Sequence, residues 1–147
     1  RRINDDMSGF VAHAVVRELV RAKIDLAKAC VHLLGMTFKE NCPDTRNSRA
    51  ADVYRVLQEY DLTLAAVDPE VDEEAFREEY GFSLESLHDV QDADALVFLV
   101  AHDAFARLSW EELRAMCRVD GPHLLVDVKG MFSREEAERE GFRYWRL

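Results

Sequence analysis

Short apolar runs of strand length alternate along this chain with segments whose apolar residues recur at helical spacing. That alternation restricts the fold more than any single residue does. Cys30–Leu34, Leu62–Val67, Ala95–Val100, His123–Val128 and Phe142–Leu147 read as strands. Arg49–Tyr60 places Ala50, Val53, Val56, Leu57 and Tyr60 on one helical face, capped by Asn47 or Ser48. A short acidic helix is expected at Glu73–Tyr80, a helical turn at Leu84–His88, and a helix from Ser109, where Glu112 completes a capping box. Ser133 starts a further helix to about Glu140, which Gly141 ends. Strands joined through helices build right-handed βαβ units on a parallel sheet. The expected fold is therefore α/β: a doubly wound, Rossmann-like, mainly parallel sheet with helices on both faces.

A long amphipathic helix precedes it, from about Ile3 to Ala22, with Ile3, Met7, Phe10, Val11, Ala14, Val15, Leu19 and Val20 as its apolar positions. It opens on Arg1-Arg2-Ile3-Asn4 without a helix start signal, as expected of a chain cut from something longer. The 147 residues, 48% of them hydrophobic, suffice for one ordinary domain. The longest apolar runs are strand-sized, so neither a secretory signal nor a membrane span is expected. A net charge of −10 disfavours a nucleic-acid backbone as partner, because such binding needs Lys and Arg to neutralise phosphates. A small phosphorylated ligand needs only a local cluster of cations. Cys30, Cys42 and Cys117 are odd in number and show no C-x-x-C spacing, which fits a reducing cytoplasm better than disulfides or zinc.

In a doubly wound sheet, ligands gather beyond the carboxyl ends of the strands. The stretch Gly35–Ser48 lies there, between a strand and a helix start, and carries Lys39 and Arg46. Helix-start N–H groups and two cations suit an anion; a solvated polar loop is the alternative. The G-x-G-x-x-G fingerprint of a dinucleotide site is missing, since only Gly35 is present, and no Walker motif occurs. Asp44 is expected to pair with Arg46. Cys42 sits among cations that could activate a thiol, with His102 or His123 as a base delivered by the fold, although an inert thiol is the simpler reading. His102-Asp103 follows a strand, and the histidine there is expected to cap the strand end or bond backbone. Asp127 and Lys129 stand two apart and can share a face, so they either pair or turn Lys129 toward the first loop. Glu70-Val71-Asp72-Glu73-Glu74 reads as a solvated helix start, not a metal site.

These residues resemble the C-terminal UDP-binding domain of the UDP-glucose/GDP-mannose dehydrogenase family over nearly the whole chain. The resemblance rests on Gly35-Met36-Thr37-Phe38-Lys39 with Asp44-Thr45-Arg46-Asn47-Ser48, then Val67-Asp68-Pro69, Val100-Ala101-His102 and Val126-Asp127-Val128-Lys129-Gly130. Phe38–Asp44 and Asp127–Gly130 are more similar to the branch acting on UDP-N-acetylhexosamines in surface polysaccharide synthesis. The resemblance implies an NAD-dependent oxidation of a sugar C6 alcohol to a carboxylate, with the catalytic cysteine and most of the NAD site in N-terminal and central domains. None of Cys30, Cys42 or Cys117 matches that cysteine, so the fragment alone is expected to be inactive and the full-length enzyme a homodimer. It also implies that residues 1–24 are the end of an interdomain helix and 25–147 the UDP-sugar-binding domain. Phe38 and Lys39 would contact the UDP-sugar, Lys129 would join them, and Arg46 would reach an NAD phosphate held by another domain. The rival readings are a free-standing nucleotide- or protein-binding module and a small thiol enzyme using Cys42.

Overall fold

The computed structural model describes residues 2–147, with side chains described from Met7 onward, so the expected contribution of Ile3 lies outside the described side chains. Six strands form one parallel sheet in the order β3-β2-β1-β4-β5-β6: β1 Cys30–Leu34, β2 Thr63–Val67, β3 Leu84–Glu85, β4 Ala95–Phe98, β5 His123–Asp127 and β6 Phe142–Arg146. The helices are α1 Arg2–Arg21, α2 Arg49–Leu57, α3 Glu73–Tyr80, α4 Asp103–Ala106, α5 Trp110–Ala115 and α6 Arg134–Arg139. Every strand pairing is parallel, with Val31 opposite Ala95 and Leu64, and Leu34 opposite Phe98 and Val67. Strand order reverses between β1 and β4, the switch point where this architecture opens a crevice.

Alternation along the strands explains why both faces are covered. Val31, Leu33, Val97, Leu124 and Val126 point into one core with Val11, Val15 and Leu19 of α1, Val53 and Leu57 of α2, and Phe76 of α3. Leu34, Leu96, Phe98 and Leu125 point into the other, against Phe105 of α4, Leu113 of α5 and Ala137 of α6. The N-terminal helix thus shares a core with α2 and the sheet. Buried Glu18 fastens it to β6 by accepting a hydrogen bond from Arg143 Nε at 3.1 Å.

Two expectations change. The segment Leu84–His88 is not one helical turn: Leu84–Glu85 extends the sheet beside Ala66–Val67, and a 3₁₀ turn follows at Leu87–Asp89. Two residues are too few for a strand period to show. Ser48 does hold the cap position of α2, with extended backbone, but its side chain makes no capping hydrogen bond. The Ser109 capping box forms as its spacing requires.

Candidate functional site

The loop from Gly35 to Ser48 leaves β1 at the switch point, and its inner half is buried while its outer half faces solvent. Gly35 has φ 101°, and a Cβ there would stand 2.7 Å from Val100 Cβ and 2.8 Å from Val100 N. Only glycine permits the post-β1 and post-β4 backbones to approach so closely. Asp68, at the end of β2, then fixes the loop from below. Its carboxylate accepts from Met36 N at 2.6 Å and Glu70 N at 2.8 Å, and it meets His102 Nε2 at 2.9 Å.

His102 is fully buried and ties the same loop from the β4 side. The Asn41 amide donates to its Nδ1 at 2.9 Å, so the ring proton belongs on Nε2, where it is donated to Asp68. The Asn41 side chain returns the contact by accepting from Asp103 N at 2.9 Å. The loop closes on itself through Phe38 N and Asp44 O at 2.8 Å. At its exit, the Tyr80 hydroxyl of α3 donates to the Thr45 carbonyl. A loop tied at both ends and in the middle presents its outer side chains from a fixed frame.

Three of those expected ligand residues come together. Phe38 and Lys39 from this loop, and Lys129 from the turn after β5, line one cleft of about 260 Å³ with Thr37, Arg49, Ala50, Leu99 and Val100. Phe38 is 59% exposed. Lys129 does not pair with Asp127. Asp127 is wholly buried and accepts from Met131 N and Phe132 N, both at 2.9 Å, and from the Tyr144 hydroxyl. The buried carboxylate therefore shapes the turn, and Lys129 projects from it. Burial, then the neighbouring Asp127, pushes the Tyr144 hydroxyl pKa well up, which keeps it a donor to that carboxylate.

Arg46 is not among the residues lining this cleft. Its side chain is 80% exposed and makes a two-pronged contact with Asp44, Nε to Oδ1 and Nη2 to Oδ2, each at 3.0 Å. That contact holds the Asp44 carboxyl below its usual range. The expected Asp44–Arg46 pair is therefore present. Cys42 is half-buried, and the two histidines offered as its base are committed elsewhere: His102 as above, and His123 to the Arg118 carbonyl at 2.6 Å. Burial raises the thiol pKa of Cys117, a core residue, to about 12 and also raises that of half-buried Cys30. Among the described residues no cluster of His, Cys, Asp or Glu could hold a metal ion, and no helix is long and apolar enough to cross a membrane.

Sequence reasoning missed three contributors. Arg49 lines the cleft, yet reads in sequence as one more helix-surface cation. Asp68 and Asp127 brace the two loops; the signal was an aspartate ending each apolar strand, at Val67-Asp68 and Val126-Asp127. A dinucleotide of the domain's own does not fit these residues. The acidic side chain such a site would turn to the ribose has its counterpart in Asp68, which is 5% exposed and spent on the loop.

A parallel sheet ordered β3-β2-β1-β4-β5-β6, with a cationic cleft at its switch point, defines a doubly wound Rossmann-like domain. The chain belongs to the UDP-glucose/GDP-mannose dehydrogenase family, whose UDP binding domain matches residues 32–134. It is 34% identical over 138 residues to the UDP-N-acetyl-D-glucosamine 6-dehydrogenase of Salmonella typhi, a match covering 94% of this chain and 32% of that protein. Protein CapL of Staphylococcus aureus is 31% identical over 147 residues, all of this chain and 34% of CapL. Among solved structures, the UDP-D-ManNAc dehydrogenase of Pyrococcus horikoshii superposes with a TM-score of 0.80 at 25% identity, covering 100% of this chain and 32% of that one. The NDP-N-acetyl-D-galactosaminuronic acid dehydrogenase of Methanosarcina mazei Go1 shares the fold, with a TM-score of 0.84 at 21% identity over 100% of this chain and 30% of that one. The chain spans about a third of the length of these relatives.

Proposed function

We propose that this chain is the UDP-sugar-binding C-terminal domain of an NAD-dependent nucleotide-sugar 6-dehydrogenase of the UDP-N-acetylhexosamine type. The observation that carries the reading is the convergence of Phe38, Lys39 and Lys129, from loops far apart in sequence, on one cleft at the switch point. Lys39 and Lys129 neutralise the diphosphate, the start of α2 adds its partial positive charge, and exposed Phe38 offers an aromatic face to the base or sugar. The domain's part in the reaction is to hold the substrate so that the sugar C6 meets groups supplied by other domains.

Residues 1–24 then belong to a helix leading from a central domain, and 25–147 to the substrate domain. Exposed Arg46 reaches outward to an NAD phosphate bound on another domain, exchanging its contact with Asp44 for that anion. The enzyme works as a homodimer in the cytoplasm, and this chain by itself turns nothing over, because the cysteine nucleophile and the NAD domain lie outside it. Titration calorimetry on the 147-residue chain tests the reading. UDP and UDP-N-acetylhexosamines bind, Lys39→Ala weakens binding at least tenfold, about 1.4 kcal/mol, and unchanged affinity in that variant overturns the assignment.

A further inference from the structure

We propose that Arg49 supplies the guanidinium of the diphosphate clamp in this domain, completing with Lys39 and Lys129 a three-sided cationic site. The inference rests on the UDP-sugar reading of the cleft. Of the two arginines near the first loop, Arg46 has its fork taken up by Asp44 and is absent from the cleft lining, whereas Arg49 lines the cleft beside Lys39 and Lys129. Lysine offers a point charge. Arginine offers a planar, two-pronged donor that matches phosphate oxygens, so a clamp with one guanidinium and two ammoniums fixes orientation as well as charge.

The position of Arg49 points to a ligand for a second reason. It is the first residue of α2, a nine-residue helix, where the partial charge of the helix end is already positive. A cation there opposes the dipole; α6 also opens on an arginine, Arg134, but that one reaches back to the Tyr144 carbonyl at 3.3 Å and is not part of the cleft wall. A cation in this unfavourable place, standing in the wall of the cleft, serves binding better than it serves the helix. The site is also anchored at its root. Ser8 Oγ of α1 donates to the Arg49 carbonyl at 3.4 Å, and Ala50, next along the helix, is 5% exposed in the core. The guanidinium is thus mobile only along its own side chain.

The test pairs ligand affinity with thermal stability in the 147-residue chain, using UDP as the probe. Arg49→Ala is expected to weaken UDP binding roughly ten- to a hundredfold, the effect of losing hydrogen bonds to a charged group. Its melting temperature is unchanged or raised, because the misplaced cation is gone. Arg49→Gln, which keeps a planar donor on a shorter side chain without the charge, gives the same loss, and Arg49→Lys recovers part of it. Arg139→Ala, removing an equal charge from α6, leaves UDP affinity within about twofold, since exposed charges beyond a Debye length are screened. If Arg49→Ala binds UDP as well as the unaltered chain while Lys39→Ala does not, the proposal fails and the UDP-sugar reading stands. A greater loss from Arg46→Ala than from Arg49→Ala, or a lowered melting temperature in Arg49→Ala with affinity intact, also overturns it. Absence of UDP binding by the unaltered chain sinks the underlying reading itself.

Discussion

Two clefts open on the same edge of the same sheet, and they carry opposite charge. One lies at the switch point, about 260 Å³, lined by Lys39, Arg49 and Lys129. The other lies beyond β2 and β3, about 360 Å³, and is lined by Asp68, Glu73, Glu85 and His88. In a chain of net charge −10, acid is the ordinary surface, so the larger cleft is what composition alone would produce. Three cations around the smaller one are the departure. Size therefore does not mark the proposed UDP-sugar site here. The sign of the charge does, because a cationic cleft in an acidic surround focuses an anion to one place and repels it elsewhere.

The contrast breaks most visibly under charge reversal. Lys39→Glu is expected to weaken UDP binding roughly a hundredfold, about 3 kcal/mol. Glu73→Lys moves the net charge by the same amount in the other direction, but in the acidic cleft, and is expected to change affinity less than about twofold. Comparable effects of opposite sign would mean that overall charge, not the cleft, governs binding.

Next in size is the contact that creates the cationic cleft. Gly35→Ala must relieve a Cβ standing 2.7 Å from Val100 Cβ at a left-handed φ of 101°, so about 2 kcal/mol of stability is expected to go. Urea unfolding measures it. The acidic cleft should be untouched, and an unaltered unfolding midpoint would show that the two loops do not need their close approach. His102→Phe comes after it. The variant leaves the Asn41 amide without its acceptor and takes one of two donors from Asp68 Oδ2, which keeps Met36 N; a loss of about 1–2 kcal/mol is expected, and hydrogen exchange at Asn41 should quicken while that in β2 stays slow.

The sheet and its two faces were legible because continuous apolar runs of strand length, such as Ala95–Phe98 and Leu124–Val126, are a local pattern of strands buried on both faces. Phe38, Lys39 and Lys129 were legible as a group only through motif resemblance; their meeting in one cleft is a consequence of strand order, which no local pattern encodes. Arg49 was illegible because a cation at a helix start looks like surface until the cleft wall is known. The bracing roles of Asp68 and Asp127 hid for a related reason: most of the contacts that show each is buried and spent come from residues far along the chain, Met36, His102 and Tyr144. Of Asn47 and Ser48, Ser48 takes the cap of α2 without a capping hydrogen bond, because helix-start sequence reports backbone position, not whether the hydroxyl finds an amide.

The finest test asks whether the acidic side supports the cationic one. Helix α3 walls the acidic cleft with Glu73, and at its other end holds the exit of the cationic loop: Tyr80 donates to the Thr45 carbonyl, and Thr45 Oγ1 donates to Glu79 at 3.2 Å. Tyr80→Phe removes one of these ties and is expected to cost about 1 kcal/mol at neutral pH. Burial, aided by Glu79, pushes the Tyr80 pKa from its ordinary value near 10 up to about 12 in the fold. A group whose folded pKa is raised adds stability that is complete below its unfolded pKa and disappears as pH climbs through the folded one. The Tyr80 contribution is therefore expected intact to about pH 9 and lost progressively between about pH 10 and 12. Buried Cys117, also raised to about 12, acts in the same direction and stays in the variant. Urea midpoints should consequently fall with pH above about 10 in the unaltered chain and fall less steeply in Tyr80→Phe. Equal slopes would assign the alkaline loss to groups away from the loop, and the acidic helix would then be a neighbour of the cationic cleft without being its support.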